Sequence, residues 1–132
     1  MKKVQVVAAV INNEQSHILC ALRSPTMSLA HHWEFPGGKI EDGESPEEAL
    51  TREIREELDC EIKVSEKIES VTHRYPNVLV HLLTYHATII SGFPKAKEHA
   101  DLKWIPLEQL DRLRWAPADI PTVELLLKQI RS

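Results

Sequence analysis

The apolar positions fall into strand-length runs and two helical stripes. Residues 4–11 and 17–22 read as strands joined by the polar turn from Asn12 to Ser16. Trp33-Glu34-Phe35 is a short extended piece that runs into Pro36-Gly37-Gly38. Residues 60–69 alternate imperfectly, with Ile62, Val64 and Ile68 as the face expected to be buried. The β-branched-rich run from Val78 to Ile90 follows the turn signal Tyr75-Pro76-Asn77 and predicts a long strand. Leu102 to Ile105 predicts a short one.

The first helical stripe begins at Ser45-Pro46-Glu47-Glu48. Serine at the N-cap, proline at the first helical position and glutamate at the third predict a capping box, with the helix running to about Leu58. The second lies near residues 120–130, where Val123, Leu126, Leu127 and Ile130 recur at i, i+3, i+4, i+7. A shorter helix is expected from Leu107 to Leu113. Strand-rich halves around a central helix, with another helix at the end, predict an α/β or α+β layered domain. The 132 residues suit one domain, and they contain no repeat, linker or low-complexity tract.

On the helix from Pro46 to Leu58, Leu50, Ile54 and Leu58 form the core-facing stripe. Glu53, Glu56 and Glu57 occupy an arc of about 100° beside it. Ion pairing along the helix accounts for part of this charge: Arg52 can reach Glu48 or Glu56, and Arg55 can reach Asp59. It leaves Glu53 and Glu57 without a cation at helical spacing, although both lie next to the apolar stripe. A partly buried carboxylate pair needs a proton, an arginine or a divalent cation. Oxygen ligands clustered in this way suit Mg²⁺ or Mn²⁺ rather than zinc.

Composition sharpens this picture. With 42% hydrophobic and 27% charged residues and a net charge of −4, collagen-like, disordered and disulfide-scaffold classes are excluded. A nucleic-acid-coating protein, which would be basic, is disfavoured. Ten of the 20 acidic residues lie between Glu41 and Glu61, and three of the four glycines, Gly37, Gly38 and Gly43, sit in or beside that stretch. Gly37-Gly38 lets backbone approach a ligand closely, and Lys39 adds a cation. A glycine turn, a lysine and a carboxylate-laden helix make a plausible place to hold phosphate through metal, although no P-loop motif is present.

The stretch from Gly38 to Cys60 resembles the Nudix hydrolase signature, G-x5-E-x7-R-E-U-x-E-E-x-G-U. It supplies Gly38, Glu44, Arg52, Glu53, Ile54, Glu56 and Glu57 at the signature's spacing. Asp59 stands where glycine is usual and Cys60 where an aliphatic is usual. Asp tolerates a left-handed helix end better than most residues, and Cys is still apolar. Trp33 to Lys39, the chain length and Ala116-Pro117-Ala118-Asp119 resemble the branch of 8-oxo-dGTP and CTP pyrophosphohydrolases. The resemblance implies the Nudix fold, an α/β/α sandwich around a mixed β-sheet, as a single domain over residues 1–132.

It also implies an Mg²⁺-dependent nucleoside triphosphate pyrophosphohydrolase of nucleotide-pool sanitation, with Mn²⁺ as a possible substitute. The Gly37 carbonyl, Glu53, Glu56, Glu57 and Glu98 would hold metal. Glu53 or Glu98 would be the general base. Arg52 would orient Glu53 or Glu56, and Glu44 would support the loop. The substrate-binding set would be Arg23, Glu34, Phe35, Gly38, Lys39 and Asp119. Arg23 either approaches the phosphates or sugar or is a solvated strand-end residue. Phe35 and Trp33 either wall the base pocket or belong to the core. Asp119 occupies the branch's base-contacting position, where the 8-oxo-dGTP enzyme has an amide. Ionised, it would accept from the cytosine N4 amine or from guanine N1–H and its 2-amino group; otherwise it caps the last helix.

His31 and His32 show no zinc-ligand spacing and read as loop residues, and Trp104 and Trp115 read as packing residues. Other readings are a Nudix hydrolase of another nucleoside diphosphate derivative such as ADP-ribose, to which Pro76 is superficially suited, and a non-catalytic Nudix-like binding module. The latter would be expected to lack a metal carboxylate, and none is missing. Cys20 and Cys60 lie in apolar runs and predict reduced thiols. Lys2-Lys3 and the apolar run after it lack a signal-peptide cleavage site, and no run reaches membrane-spanning length. The expectation is a cytoplasmic monomer or homodimer that binds neither nucleic acid polymer nor membrane.

Overall fold

The computed structural model describes residues 1–131. In chain order its elements are β1 (Lys2–Ile11), β2 (His17–Leu22), β3 (Trp33–Glu34), β4 (Gly37–Lys39), α1 (Pro46–Leu58), β5 (Glu61–Tyr75), β6 (Val78–Ser91), β7 (Asp101–Pro106) and α2 (Ile120–Arg131). Two 3-10 turns, Leu107–Arg112 and Pro117–Asp119, join β7 to α2.

β1 organises the molecule. It runs parallel to β6 along its whole length and antiparallel to β4, and β5 pairs antiparallel with β6. The result is a mixed four-stranded sheet in the order β4-β1-β6-β5. A second, antiparallel sheet has the order β3-β2-β7. Side chains alternate along β1. Val7, Ala9 and Ile11 enter one core cluster with Leu50, Ile54 and Leu58 of α1. Ala8 and Val10 enter a second cluster with Val123, Leu126 and Leu127 of α2. A strand covered on both faces has no polar side to show, which explains its nearly continuous apolar run. Helix, sheet and helix thus form an α/β/α sandwich around a mixed sheet.

α1 forms as its sequence directs. Ser45 Oγ accepts from the Glu48 N–H at 3.1 Å, and Glu48 Oε1 accepts from the Ser45 N–H at 2.9 Å. Asp59 ends the helix in the left-handed conformation, φ 58°, ψ 38°, as expected of the residue that replaces glycine there.

Several elements differ from expectation. Gly37–Lys39 is a strand, held by pairing to β1 rather than by any β propensity of its own. β5 extends to Tyr75, so Pro76-Asn77 is the tight turn of a long hairpin. Ile62 and Val64 pack on the α1 side but Ile68 packs on the α2 side. Register shifts between Val64 and Lys67 and between Lys67 and Glu69 move the later residues to the opposite face. The helix expected over 107–113 is a 3-10 turn ending at Arg112. Both cysteines are free and buried. Among the described residues no helix is long and apolar enough to cross a membrane.

Ile54 is completely buried between α1 and β1. Ile54→Ala should lower unfolding free energy by about 2–5 kcal/mol, measured by urea denaturation; a loss below about 1 kcal/mol would contradict this packing.

Candidate active site

The antiparallel pairing of β4 with β1 presses the two glycines against neighbours that leave no room for a side chain. A Cβ on Gly37 would sit 1.9 Å from the Val7 carbonyl oxygen. A Cβ on Gly38 would sit 2.3 Å from the Glu53 carboxylate. Glycine at both positions therefore lets β4 lie under the carboxylate edge of α1.

Arg52 gathers that edge. Its Nε and Nη2 donate to the two oxygens of Glu44 at 2.7 and 2.9 Å, a bidentate pair. Its Nη1 donates to Glu53 at 3.0 Å and to Glu56 at 3.2 Å, and Nη2 also reaches the Lys39 carbonyl oxygen at 3.1 Å. Arg52 thus orients both Glu53 and Glu56, and Glu44 anchors it. The pairing differs from the helical-spacing expectation in three places. Glu48 is used by the capping box rather than by Arg52. Arg55 pairs with Glu61 at 2.5 Å, leaving Asp59 to Lys95 at 3.6 Å. Glu53 does have a cation, the residue directly before it, which a search at helical spacing overlooks.

Glu57 is different. Its Oε2 is buried with no hydrogen-bond partner. Burial, reinforced by the charges of Glu53, Glu34 and Glu98, pushes its carboxyl up to about 8. Burial also raises Glu53, although Arg52 opposes the shift. Among the described residues, no three His, Cys, Asp or Glu side chains are gathered closely enough to hold an ion as placed. Arg52 holds Glu53 and Glu56 but makes no bond to Glu57. The residues nonetheless fit a hard divalent cation. The donors are all oxygen, and an unpartnered carboxylate oxygen is what such an ion would satisfy.

Glu57 borders a cavity of about 650 Å³. Its lining includes Gly37, Gly38 and Glu57, Phe35, Ala118 and Asp119, and Arg23, Glu34 and His99. Arg23 Nη1 pairs with Glu34 Oε1 at 2.7 Å, and its Nε donates to the Ser28 carbonyl oxygen at 2.6 Å, so it is a paired wall residue rather than a solvated one. Phe35 is both core and wall: it is buried against Trp115, with ring centroids 4.6 Å apart, and still borders the cavity. Trp33 is not part of the wall; Lys103 lies over its ring. Trp104 and Trp115 pack in the core, as expected. Lys39 is exposed and does not line the cavity; its contribution in this structure is its backbone oxygen. Glu98 is exposed on the loop between β6 and β7 and is likewise not a lining residue.

Asp119 departs from the capping alternative. It makes no helix-capping bond: its Oδ1 is buried without a partner, and α2 starts at the next residue. Burial and the charge of Glu34 raise its carboxyl well above the usual carboxylate range, which favours the protonated form over a pure acceptor.

Sequence reasoning passed over His99 and Tyr75. Tyr75 lines the cavity with Pro76 at the hairpin turn, and its hydroxyl oxygen accepts from the Ala118 N–H at 3.1 Å. The turn signal at Tyr75-Pro76-Asn77 was visible, but the hairpin length that carries this turn to the cavity depends on the bulges in β5.

Comparison with known proteins fits this geometry. The model of the NUDIX domain matches residues 1–126. The chain is a MutT-like Nudix hydrolase. This Nudix hydrolase is 39% identical to the CTP pyrophosphohydrolase of Escherichia coli, over 96% of this chain and 93% of that one. It is 32% identical to the Escherichia coli 8-oxo-dGTP diphosphatase, over 96% and 98%. A solved Nudix structure from methicillin-resistant Staphylococcus aureus, described as a DNA mismatch repair protein MutT, superposes with a TM-score of 0.79 at 44% identity, covering 98% of this chain and 99% of that one. Family membership makes the chain a hydrolase of phosphorus-containing anhydrides.

The raised Glu57 pKa has a consequence for stability. Unfolded, Glu57 ionises near 4.5; folded without metal it holds its proton to about 8. Its contribution is therefore fully present below pH 4.5, falls as pH rises to about 8, and is a constant penalty above that. Glu57→Gln should leave stability in EDTA nearly unchanged at pH 4.5 and raise it by at least about 1 kcal/mol at pH 8.5, by urea denaturation. A gain that does not grow with pH would contradict the burial of an ionisable Glu57.

Proposed function

We propose that this Nudix hydrolase is a Mg²⁺-dependent nucleoside triphosphate pyrophosphohydrolase, converting NTP and water to NMP and pyrophosphate, with a cytosine or oxidised guanine nucleotide as substrate. One observation carries the reading: a single cavity is lined by both Glu57 and Asp119, each with a buried carboxyl oxygen that has no hydrogen-bond partner. A nucleotide fits such a cavity with its phosphates at Glu57 and its base at Asp119. The names of the two Escherichia coli relatives support the substrate class.

Glu53, Glu56, Glu57 and the Gly37 carbonyl would hold Mg²⁺, with Mn²⁺ as the alternative ion and Glu98 as a further ligand or base. The bound ion neutralises phosphate charge and lowers the pKa of water. The chain's own groups do the rest. Arg52 keeps Glu53 and Glu56 aimed along one edge of α1, braced by Glu44. Gly38 lets the substrate come close to Glu53. Glu53 or Glu98 accepts the proton of the attacking water as the new P–O bond forms and the bridging P–O bond to the leaving pyrophosphate breaks. Arg23 and Glu34 would face the sugar and Phe35 would wall the base, while Lys39 contributes the backbone oxygen that Arg52 holds.

A protonated Asp119 offers one O–H donor and one C=O acceptor. That matches cytosine N3 with its N4 amine, or guanine O6 with N1–H. We further assign the protein to the cytoplasm and to nucleotide-pool sanitation, without nucleic acid polymer or membrane as partner. Its free buried cysteines suit a reducing compartment.

The test is a pyrophosphate-release screen of CTP, dCTP, dGTP and 8-oxo-dGTP with Mg²⁺. Release of pyrophosphate and NMP from a cytosine or oxidised guanine nucleotide is expected; no release from any of them, or release of single phosphates, overturns the proposal. Asp119→Asn keeps one donor and one acceptor and should preserve the substrate ranking. Asp119→Ala should lower kcat/KM for the preferred base about 10- to 100-fold. An Asn variant as damaged as the Ala variant would restore the ionised, acceptor-only reading.

A further inference from the structure

His99 is buried, lines the cavity and bonds through Nε2 to Glu34 Oε2 at 2.8 Å. Glu34 also pairs with Arg23, and an ionised carboxylate only accepts hydrogen bonds. Nε2 is therefore the ring nitrogen that donates to Glu34. Nδ1 is buried and has no hydrogen-bond partner. A residue needed only to fill this volume would be served by leucine, without an unpaired polar atom. The imidazole is explained by what Nε2 holds.

It holds the stretch between β6 and β7. Residues 92–100 have no regular secondary structure, and residues 95–98 are exposed. Backbone bonds tie the stretch at two places, the Lys95 N–H to the Leu58 carbonyl oxygen at 2.8 Å and the Ala100 N–H to the Leu22 carbonyl oxygen at 2.9 Å. Among the described residues Glu98 forms no hydrogen bond or ion pair of its own, although its charge reaches Glu57. The neighbouring side chain, His99, is the buried anchor of this segment, and it is fastened to the wall residue that also fixes Arg23.

We propose that His99 is a positioning residue whose bond to Glu34 sets the loop so that the Glu98 carboxylate is presented to the Glu57 end of the cavity. The role of Glu98 rests on the pyrophosphohydrolase reading above; the setting of the loop does not.

The experiment compares His99→Leu, His99→Gln, Glu98→Gln and the Glu98→Gln/His99→Leu double variant. In pyrophosphate release, His99→Leu should lower kcat about 10- to 100-fold, a typical cost for a residue that orients a ligand, with KM for the nucleotide changed less than about threefold. His99→Gln keeps an N–H for Glu34 and should recover most of the rate. The double variant should be no slower than Glu98→Gln alone, because His99 acts through Glu98. Amide hydrogen exchange without nucleotide or metal should show residues 95–100 exchanging faster in His99→Leu while α1 is unchanged. Additive losses in the double variant, unchanged kcat in His99→Leu, or unchanged loop exchange would overturn the proposal. Where His99→Leu does not fold, Glu34→Leu breaks the same bond from the other side for the exchange measurement. A wild-type protein with no turnover would overturn the functional reading alone, since the exchange measurement still decides whether His99 sets the loop.

Discussion

The guanidinium of Arg52 meets Glu44 through two hydrogen bonds and Glu53 and Glu56 through one each, while Glu57, one residue further along α1, receives none from it. This unequal sharing governs the site. Three acidic side chains, Glu44 before α1 and Glu53 and Glu56 on it, are compensated within the protein. The fourth is left uncompensated and partly buried, where its charged form is disfavoured and where only an external partner can satisfy it. A cation suits that position because the surrounding donors are oxygens and the neighbouring charges, Glu53, Glu34 and Glu98, are all negative.

The fold delivers this arrangement by strict alternation along β1. One face seats α1, the other seats α2, and the Gly-Gly segment of β4 lies on the edge beside Glu53. The cavity is lined by Val6, Val7 and Ala8 of β1 together with Glu57 of α1 and Asp119, the residue before α2. In the proposed reading phosphate chemistry belongs to the α1 layer and base recognition to the α2 layer, with Arg23, Glu34 and His99 lining the same cavity. Glu57 and Asp119 each bury one carboxyl oxygen that has no hydrogen-bond partner.

What could be read in the sequence follows the range of the interactions involved. α1 was legible to the residue, because the capping box, the Leu50-Ile54-Leu58 stripe and the Asp59 helix end are local. The Nudix signature brought the candidate metal carboxylates and Arg52 with it. β4 was not legible, since Gly-Gly-Lys becomes a strand only by pairing with β1. The face change in β5 depends on bulges that leave no composition signal. The partner of Arg55 is Glu61 rather than Asp59 because the chain turns back beyond the helix end. The setting of His99 and the raised carboxyl of Asp119 are consequences of burial among residues distant in sequence, which no local pattern encodes.

Glu57 is the point at which these arguments converge, and its titration is directly observable. Site-resolved carbon NMR of the glutamate carboxyls, assigned with Glu57→Gln, can follow it with EDTA and with Mg²⁺. The account predicts that Glu57 titrates near 8 without metal and that Mg²⁺ drives its titration down below the ordinary value of 4.5. An ordinary carboxylate titration that Mg²⁺ does not move would contradict it.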